Sequence, residues 1–245
     1  MILQETPLKS LKLRVKMRKG GKEKLSKPAN TPLYSLRFDK YTFRSYCYKL
    51  GKKDKELKGV IKKHGYPPMW TRPATFQTLI LFILEQQVSL ASAYAAFKKL
   101  KERTGFVTPD KILALSDVEL RACYFSRQKI IYAKELANAV KSKQLQIKKL
   151  SSLTNDEVRE QLIKIIGIGH WTVDVFLMHS LQRTDLFPLG DIALVNSLKE
   201  VKQLPKDISR EKMLKIAEPW RPYRTIAAMI LWHAYIKKRG IKLQG

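Results

Sequence analysis

The stretch Leu162-Ile163-Lys164-Ile165-Ile166-Gly167-Ile168-Gly169-His170-Trp171-Thr172 decides how the rest of the chain is read. Two glycines, two residues apart, stand between an apolar segment that is ending and another that is starting. That pattern predicts a very tight reversal between two helices, because a Cβ would block both the turn and a close ligand. Backbone amides left unpaired at such a turn, with the positive end of the helix from Trp171, form a site suited to one backbone phosphate. A Gly-x-Gly turn also opens dinucleotide-binding folds, and Asp191 follows about 20 residues later, as that fingerprint asks. The dinucleotide turn needs a preceding strand and a third glycine. Here Thr172 takes the third position, and Thr154 with Glu157 predicts a capped helix upstream, which weighs against it. A glycine corner that binds nothing stays open on the motif alone.

Outward from this turn the chain reads as helical from about Lys53. Leu57, Val60 and Ile61 line one short helix, before Gly65, Pro67, Pro68 and Pro73 break the chain. Phe76, Leu79, Ile80 and Ile83 line the next. Leu90, Ala93, Tyr94, Phe97 and Leu100 line a third, and Ile130, Ala133, Leu136, Ala137 and Val140 another. Short helices are expected at Pro109 to Ala114 and Asp117 to Cys123, and a longer one through Leu162 to Ile166. Further helices are expected at Trp171 to Gln182, Asp191 to Val201, Ser209 to Ala217 and Arg221 to Lys238. The fold class is therefore mainly α, with a basic N-terminal arm over residues 1–50 and one helical domain over 53–240. In the arm, Leu11, Leu13, Val15 and Met17 alternate with Lys12, Arg14, Lys16 and Arg18 before Gly20-Gly21, the pattern of a small β ribbon. A phosphate clamp and a solvated lysine-rich extension are both open readings of it.

Charge and composition narrow the partners. The 245 residues carry 48 Lys and Arg against 21 Asp and Glu, a formal net charge of +27, with 44% hydrophobic residues. The first 50 hold 13 basic residues against 3 acids, which leaves 35 against 18 in the remainder, so the folded body is basic too. A folded polyanion binder is expected. Cys47 and Cys123 are the only cysteines, which excludes a disulfide framework, a four-thiolate zinc site and a four-cysteine iron-sulfur cluster. His64, His170, His179 and His233 show no metal-ligand spacing, so no metal site is assigned. The apolar run Leu79 to Leu84 stops at Glu85, far short of the roughly 20 residues a membrane span needs. With no secretory signal visible from Met1 to Thr6, a cytoplasmic, nucleoid-associated protein is expected.

The second informative segment is Thr184-Asp185-Leu186-Phe187-Pro188-Leu189-Gly190-Asp191. Asp191 opens a helix, where the unpaired amides stabilise an anion, and simple capping explains an isolated Asp there. Beside a gripped nucleic-acid backbone, however, a fixed negative charge repels DNA unless it meets a cation. The sugar cation formed when an N-glycosidic bond breaks is one.

The hairpin Gly167-Ile168-Gly169, the Pro188/Gly190 loop with Asp191, and Glu85-Gln86-Gln87-Val88-Ser89 upstream together resemble the helix-hairpin-helix, Gly/Pro-Asp superfamily of DNA glycosylases. Within it they resemble most the bacterial inducible 3-methyladenine-DNA glycosylase branch, over about residues 53 to 240. The resemblance implies a two-lobed helical domain with the active site in its cleft, into which a damaged nucleotide is flipped from the duplex. It makes Asp191 the catalytic carboxylate, Trp171 and Trp232 walls of the base pocket, and Gln87 the plug for the gap left in the duplex. It has Gly167 to Gly169 hold a phosphate through amides, with a monovalent cation on the hairpin carbonyls. Ile166 stands where Pro is common, Val173 where Ala is common, and Val175 where the bacterial relative is aromatic, which bears on base preference.

Members of this superfamily that also cut the strand carry a Lys two residues after the second hairpin glycine, for a Schiff base. Trp171 stands there, so water is expected to capture the sugar and no lyase activity is expected. An alkylated purine is cationic, and an aromatic face attracts it more than a neutral base; core packing is the ordinary alternative for Trp171 and Trp232. Trp70 is a further pocket candidate, with a loop anchor as the alternative. Gln86 and Gln87 are candidates for insertion against the orphaned base or for buried polar capping. His170 and Thr172, beginning a helix at the hairpin, join Gly167 and Gly169 as DNA contacts, and Arg221, Arg224, Lys237 and Lys238 are candidate phosphate ligands. The expected function is hydrolysis of the N-glycosidic bond of alkylated purines in double-stranded DNA by a monomer, without a cofactor beyond that monovalent cation. A non-catalytic DNA-binding module and a glycosylase for oxidised or deaminated bases are the alternatives.

Overall fold

In the computed structural model, residues 36–241 are described. They form twelve α-helices: α1 Phe43–Lys53, α2 Lys55–His64, α3 Phe76–Glu85, α4 Leu90–Thr104, α5 Pro109–Ala114, α6 Asp117–Ala122, α7 Arg127–Lys141, α8 Asn155–Ile163, α9 His170–His179, α10 Ile192–Val201, α11 Arg210–Ala217 and α12 Arg224–Lys238. Short 3₁₀ turns lie at Ile147–Ser152 and Glu218–Trp220. A single antiparallel bridge, Arg37 to Arg183, is the only β pairing among the described residues.

Nine helix starts are set by a side-chain cap that accepts a hydrogen bond from an otherwise unpaired amide of the first turn. Asp54, Thr75, Ser89, Thr108, Ser116, Ser126, Thr154, Asp191 and Ser209 do this. Thr154 and Glu157 close the expected capping box at α8, and Ser116 and Glu119 close another at α6. Helix α9 is different: its cap residue is Gly169, and no side chain serves its first amides.

The helices pack in two groups. One comprises α3 to α9, with α3 against α4, α7 and α9, α5 and α6 against α7, and α8 against α9. The other comprises α1, α2, α10 and α12, with α12 against α1, α2 and α10. Helix α12 is enclosed all round, burying every residue from Thr225 to Ala234. The α9–α10 connection, residues 180–191, joins the two groups, and Asp191 lies at its end.

The expected limit of the N-terminal arm at residue 50 requires correction. Residues 43–53 are a helix of the folded body, and Phe38, Phe43, Cys47 and Leu50 lie in its core. Their spacing is helical, but the intervening Arg44, Lys49, Lys52 and Lys53 read as a continuation of the basic tail. Burial pushes the Cys47 thiol up to about 12, so it stays an inert apolar filler. The ribbon expected at Leu11 to Met17 lies outside the described residues. Among the described residues, no helix is long and apolar enough to cross a membrane, and no three His, Cys, Asp or Glu side chains cluster to hold a metal ion.

Candidate active site between the two lobes

Asp191 caps α10, and three N–H groups converge on its carboxylate. The amide of Leu194 donates to Oδ1 at 2.8 Å, Trp232 Nε1 donates to Oδ1 at 3.0 Å, and Trp171 Nε1 donates to Oδ2 at 3.1 Å. All three partners are donors, the set that a carboxylate accepts. One indole comes from α9 in the first helix group and the other from α12 in the second, so the carboxylate is held from both lobes. Asp191 and Trp171 remain partly exposed, whereas Trp232 is 8% exposed. The cap and the two indoles together fix the orientation of a carboxylate on a partly exposed residue.

The two tryptophans expected as pocket walls therefore do something the sequence did not show, since their ring nitrogens orient the carboxylate. Trp232 also stacks on His179, with ring centroids 5.5 Å apart and planes 26° apart. Trp70 meets the site through its backbone, its carbonyl lying 2.7 Å from His179 Nδ1, while its ring packs beside His233. Gly190 is backed by Trp171, 3.6 Å from where a Cβ would stand.

The hairpin lies between α8 and α9. Gly167 has φ +90°, and a Cβ there would come within 2.0 Å of the Tyr132 ring. Gly169 has φ −95° and open space where a Cβ would stand, so nothing inside the protein demands glycine there. Gly169 and His170 are exposed at the uncapped start of α9, which leaves first-turn amides facing outward for an anion.

Two residues assigned to DNA from sequence face inward instead. Gln86 Nε2 donates to Gly167 O at 2.8 Å and to Thr172 Oγ1 at 3.0 Å, and Thr172 is only 1% exposed. Both amide hydrogens of Gln86 are thereby consumed in tying the end of α3 to the hairpin, and the Thr172 hydroxyl is the other end of that tie. Arg221 and Arg224 are likewise occupied, pairing with Asp185 and Glu218, and Lys238 pairs with Glu200. Gln87 is different, being exposed with φ +56°, a left-handed conformation uncommon for a residue with a Cβ. Gln87→Gly should stabilise the free protein by ~0.5–1 kcal/mol by removing this strain. Melting curves check the point, with a higher Tm expected for the variant.

Burial pushes the His179 imidazole down to about 4, opposed by its bond to the Trp70 carbonyl and by the charge of Asp191, and reinforced by Arg72. The ring is therefore neutral at pH 7. An unfolded histidine, with its ordinary value near 6.5, binds a proton that the folded one refuses. This stability is complete above about pH 6.5 and is lost as the pH falls toward 4. Because His179 is only part-buried by surface exposure, the loss is ~1–3 kcal/mol after allowance for solvent screening. Tm measured across that window should fall more steeply for the wild type than for His179→Phe.

Residues 80–222, which include the hairpin, Gln86, Gln87 and Asp191, match the family model of the HhH-GPD superfamily base excision DNA repair proteins. The chain belongs to that superfamily. It is 34% identical over 186 residues to DNA-3-methyladenine glycosylase 1 of Schizosaccharomyces pombe, covering 73% of this chain and 82% of that protein. A putative DNA-3-methyladenine glycosylase of Bacillus subtilis is 29% identical over 186 residues, and the match spans 65% of that relative's length. Among solved structures, the S. pombe 3-methyladenine DNA glycosylase in complex with abasic DNA matches with a TM-score of 0.71 and 32% identity, covering 77% of this chain and 95% of that one. The DNA-3-methyladenine glycosidase of Bacillus halodurans matches with a TM-score of 0.65 and 28% identity, covering 85% of this chain and 95% of that one. An 8-oxoguanine glycosylase/lyase of Clostridium acetobutylicum shares the fold at 19% identity and a TM-score of 0.71. The named relatives are fungal and bacterial alike and do not single out the inducible bacterial branch.

Proposed function

We propose that this protein is a monofunctional DNA glycosylase that hydrolyses the N-glycosidic bond of alkylated purines, such as 3-methyladenine or 7-methylguanine, in duplex DNA and so starts base excision repair. The observation that carries this reading is the partly exposed Asp191, whose carboxylate accepts two indole N–H groups, one from each helix group, at 3.1 and 3.0 Å. The S. pombe and Bacillus relatives bear the name 3-methyladenine glycosylase, which agrees with it.

In this mechanism the amides at the start of α9 take a backbone phosphate, Gln87 fills the gap left in the stack, and the damaged nucleotide enters the cleft. The bond between C1′ and the base nitrogen breaks, and its electron pair leaves with the base, neutralising the positive charge that alkylation placed there. The sugar cation that remains faces Asp191, whose fixed charge stabilises it. Water adds at C1′ and loses its proton, leaving an abasic site. Trp171 occupies the position that a Schiff-base lysine takes in strand-cutting members, so no amine competes with water. Trp232 is buried and stacked on His179, so the partly exposed ring of Trp171 is the one that offers an aromatic face to a cationic base.

For the monovalent cation, the hairpin supplies backbone carbonyl oxygens, the donor type that hard cations take. Gly167 O already accepts from Gln86, so the carbonyls of Ile166 and Ile168 would hold the ion, which would supply a positive charge at the hairpin for an anionic ligand. The protein is proposed to act as a monomer on double-stranded DNA.

A panel of duplexes carrying methylated, deaminated or oxidised bases, with released base measured, tests the assignment. Release of methylated purines with the strand left uncut supports it. Tight binding without release of any base would make the chain a non-catalytic DNA-binding module, and release confined to oxidised or deaminated bases would reassign its substrate.

A further inference from the structure

His179 is not used by the mechanism above, yet three elements of the site meet at its ring. It is the last residue of α9, its imidazole stacks on Trp232 of α12, and Nδ1 lies 2.7 Å from the carbonyl of Trp70, in the segment between α2 and α3. A carbonyl only accepts, so Nδ1 carries the proton and donates, and the neutral ring has its lone pair on Nε2. The same segment is stitched a second time, because the Arg72 amide donates to the His179 carbonyl at 2.9 Å. Arg72 is fixed in turn by a two-bond ion pair with Glu85, at 2.8 and 2.6 Å. The imidazole plane is thus anchored to a loop that is itself anchored to α3.

That plane controls an indole. The terminal torsion of Trp is broad and is not set by the backbone, so the direction of Nε1 depends on what lies against the ring. A flat partner at a 26° interplanar angle admits few settings, and the one present aims Nε1 at Asp191 Oδ1, 3.0 Å away. An aliphatic side chain would fill the same volume without defining a plane.

We propose that His179 is a positioning residue for base excision, acting through Trp232: its anchored ring sets the indole so that Nε1 holds the Asp191 carboxylate toward the cleft. This inference rests on the reading of Asp191 as the catalytic carboxylate.

Three substitutions separate the ring from its hydrogen bond. His179→Phe keeps a flat ring and loses the bond to Trp70; His179→Asn keeps a donor for Trp70 and loses the ring; His179→Leu loses both. Single-turnover excision of a methylated base and affinity for abasic-site DNA are measured for each. His179→Leu and His179→Asn are expected to lose roughly tenfold or more in excision rate, the scale on which small misplacements act, with affinity nearly unchanged. His179→Phe, whose ring is flat but no longer tied to Trp70, is expected to keep more of the rate than either. Trp232→Phe, which removes the indole N–H, completes a double-mutant cycle: adding His179→Leu to it should cost little more.

Wild-type excision by His179→Leu and His179→Asn, a parallel loss of affinity and rate, or an undiminished second loss in the Trp232→Phe background would each overturn the proposal. Should His179→Leu fail to fold, His179→Asn carries the same comparison. Asp191→Asn is the control: if it excises normally, the catalytic reading itself has failed, whereas its inactivity beside a fully active His179→Leu overturns only the positioning role.

Discussion

Asp191→Asn is expected to bind lesion-bearing DNA nearly as well as the wild type and to lose excision by ~100-fold or more, the scale of a removed electrostatic group. The change is nearly isosteric, so the fold survives it. Asn can still accept from Leu194 and Trp232 through its carbonyl oxygen, which leaves its NH₂ facing Trp171 Nε1, donor against donor, where 3.1 Å now separates a bonded pair. A stability loss of ~1 kcal/mol follows from that one lost bond. Thermal melting, abasic-DNA affinity and base release measured on one preparation distinguish the two effects. Excision at the wild-type rate would remove the carboxylate from the chemistry.

The two hairpin glycines should respond to alanine in opposite ways. Gly167→Ala meets the Tyr132 side chain at 2.0 to 2.5 Å, including its Cβ, and must also hold φ near +90°. Rotation of the tyrosine cannot relieve a contact with its own Cβ, so the hairpin must shift. A destabilisation of ~2–5 kcal/mol is expected from overpacking and strain together. Gly169→Ala has open space and an ordinary φ, so its folding stability should change by less than about 1 kcal/mol. Its methyl group would stand beside the amides that are proposed to grip phosphate, so DNA affinity should fall while Tm holds. Equal melting temperatures for the two variants would contradict this division of labour.

Helix positions were legible because each carried its own local signal. Thr154 with Glu157 marks the start of α8, the proline and glycine breaks bound α2, and α5 begins at Pro109 as read. Helix α1 was missed because its apolar positions, Phe43, Cys47 and Leu50, are diluted by lysines and arginines that continue the charge of the tail. Periodicity within the helix was present, but composition outweighed it. The 3₁₀ turn at Ile147–Ser152 has no comparable marker.

The site divides along similar lines. Gly167, Gly169 and Asp191 were found because turn geometry and helix starts are written in consecutive residues. Whether Gln86 or Gln87 faces DNA could not be read from two identical neighbours; it follows from a backbone that turns left-handed at Gln87 and leaves Gln86 facing the hairpin, 81 residues away in the chain. Arg221 and Arg224 carry no sequence mark that separates a phosphate ligand from an internal partner; in the fold both pair with Asp185.

By itself, the amino-acid order determined the helices after α1, the tight glycine turn, the acid after the Pro/Gly loop and the lack of a hairpin lysine, because each is local along the chain. Only the tertiary structure decided that Trp171 and Trp232, 61 positions apart, hold the same carboxylate and that His179 lies against one of them. The direction of an indole N–H depends on which surfaces close over the ring, and those surfaces come from α9, α12 and the loop before α3, whose meeting is settled by burial of the whole core.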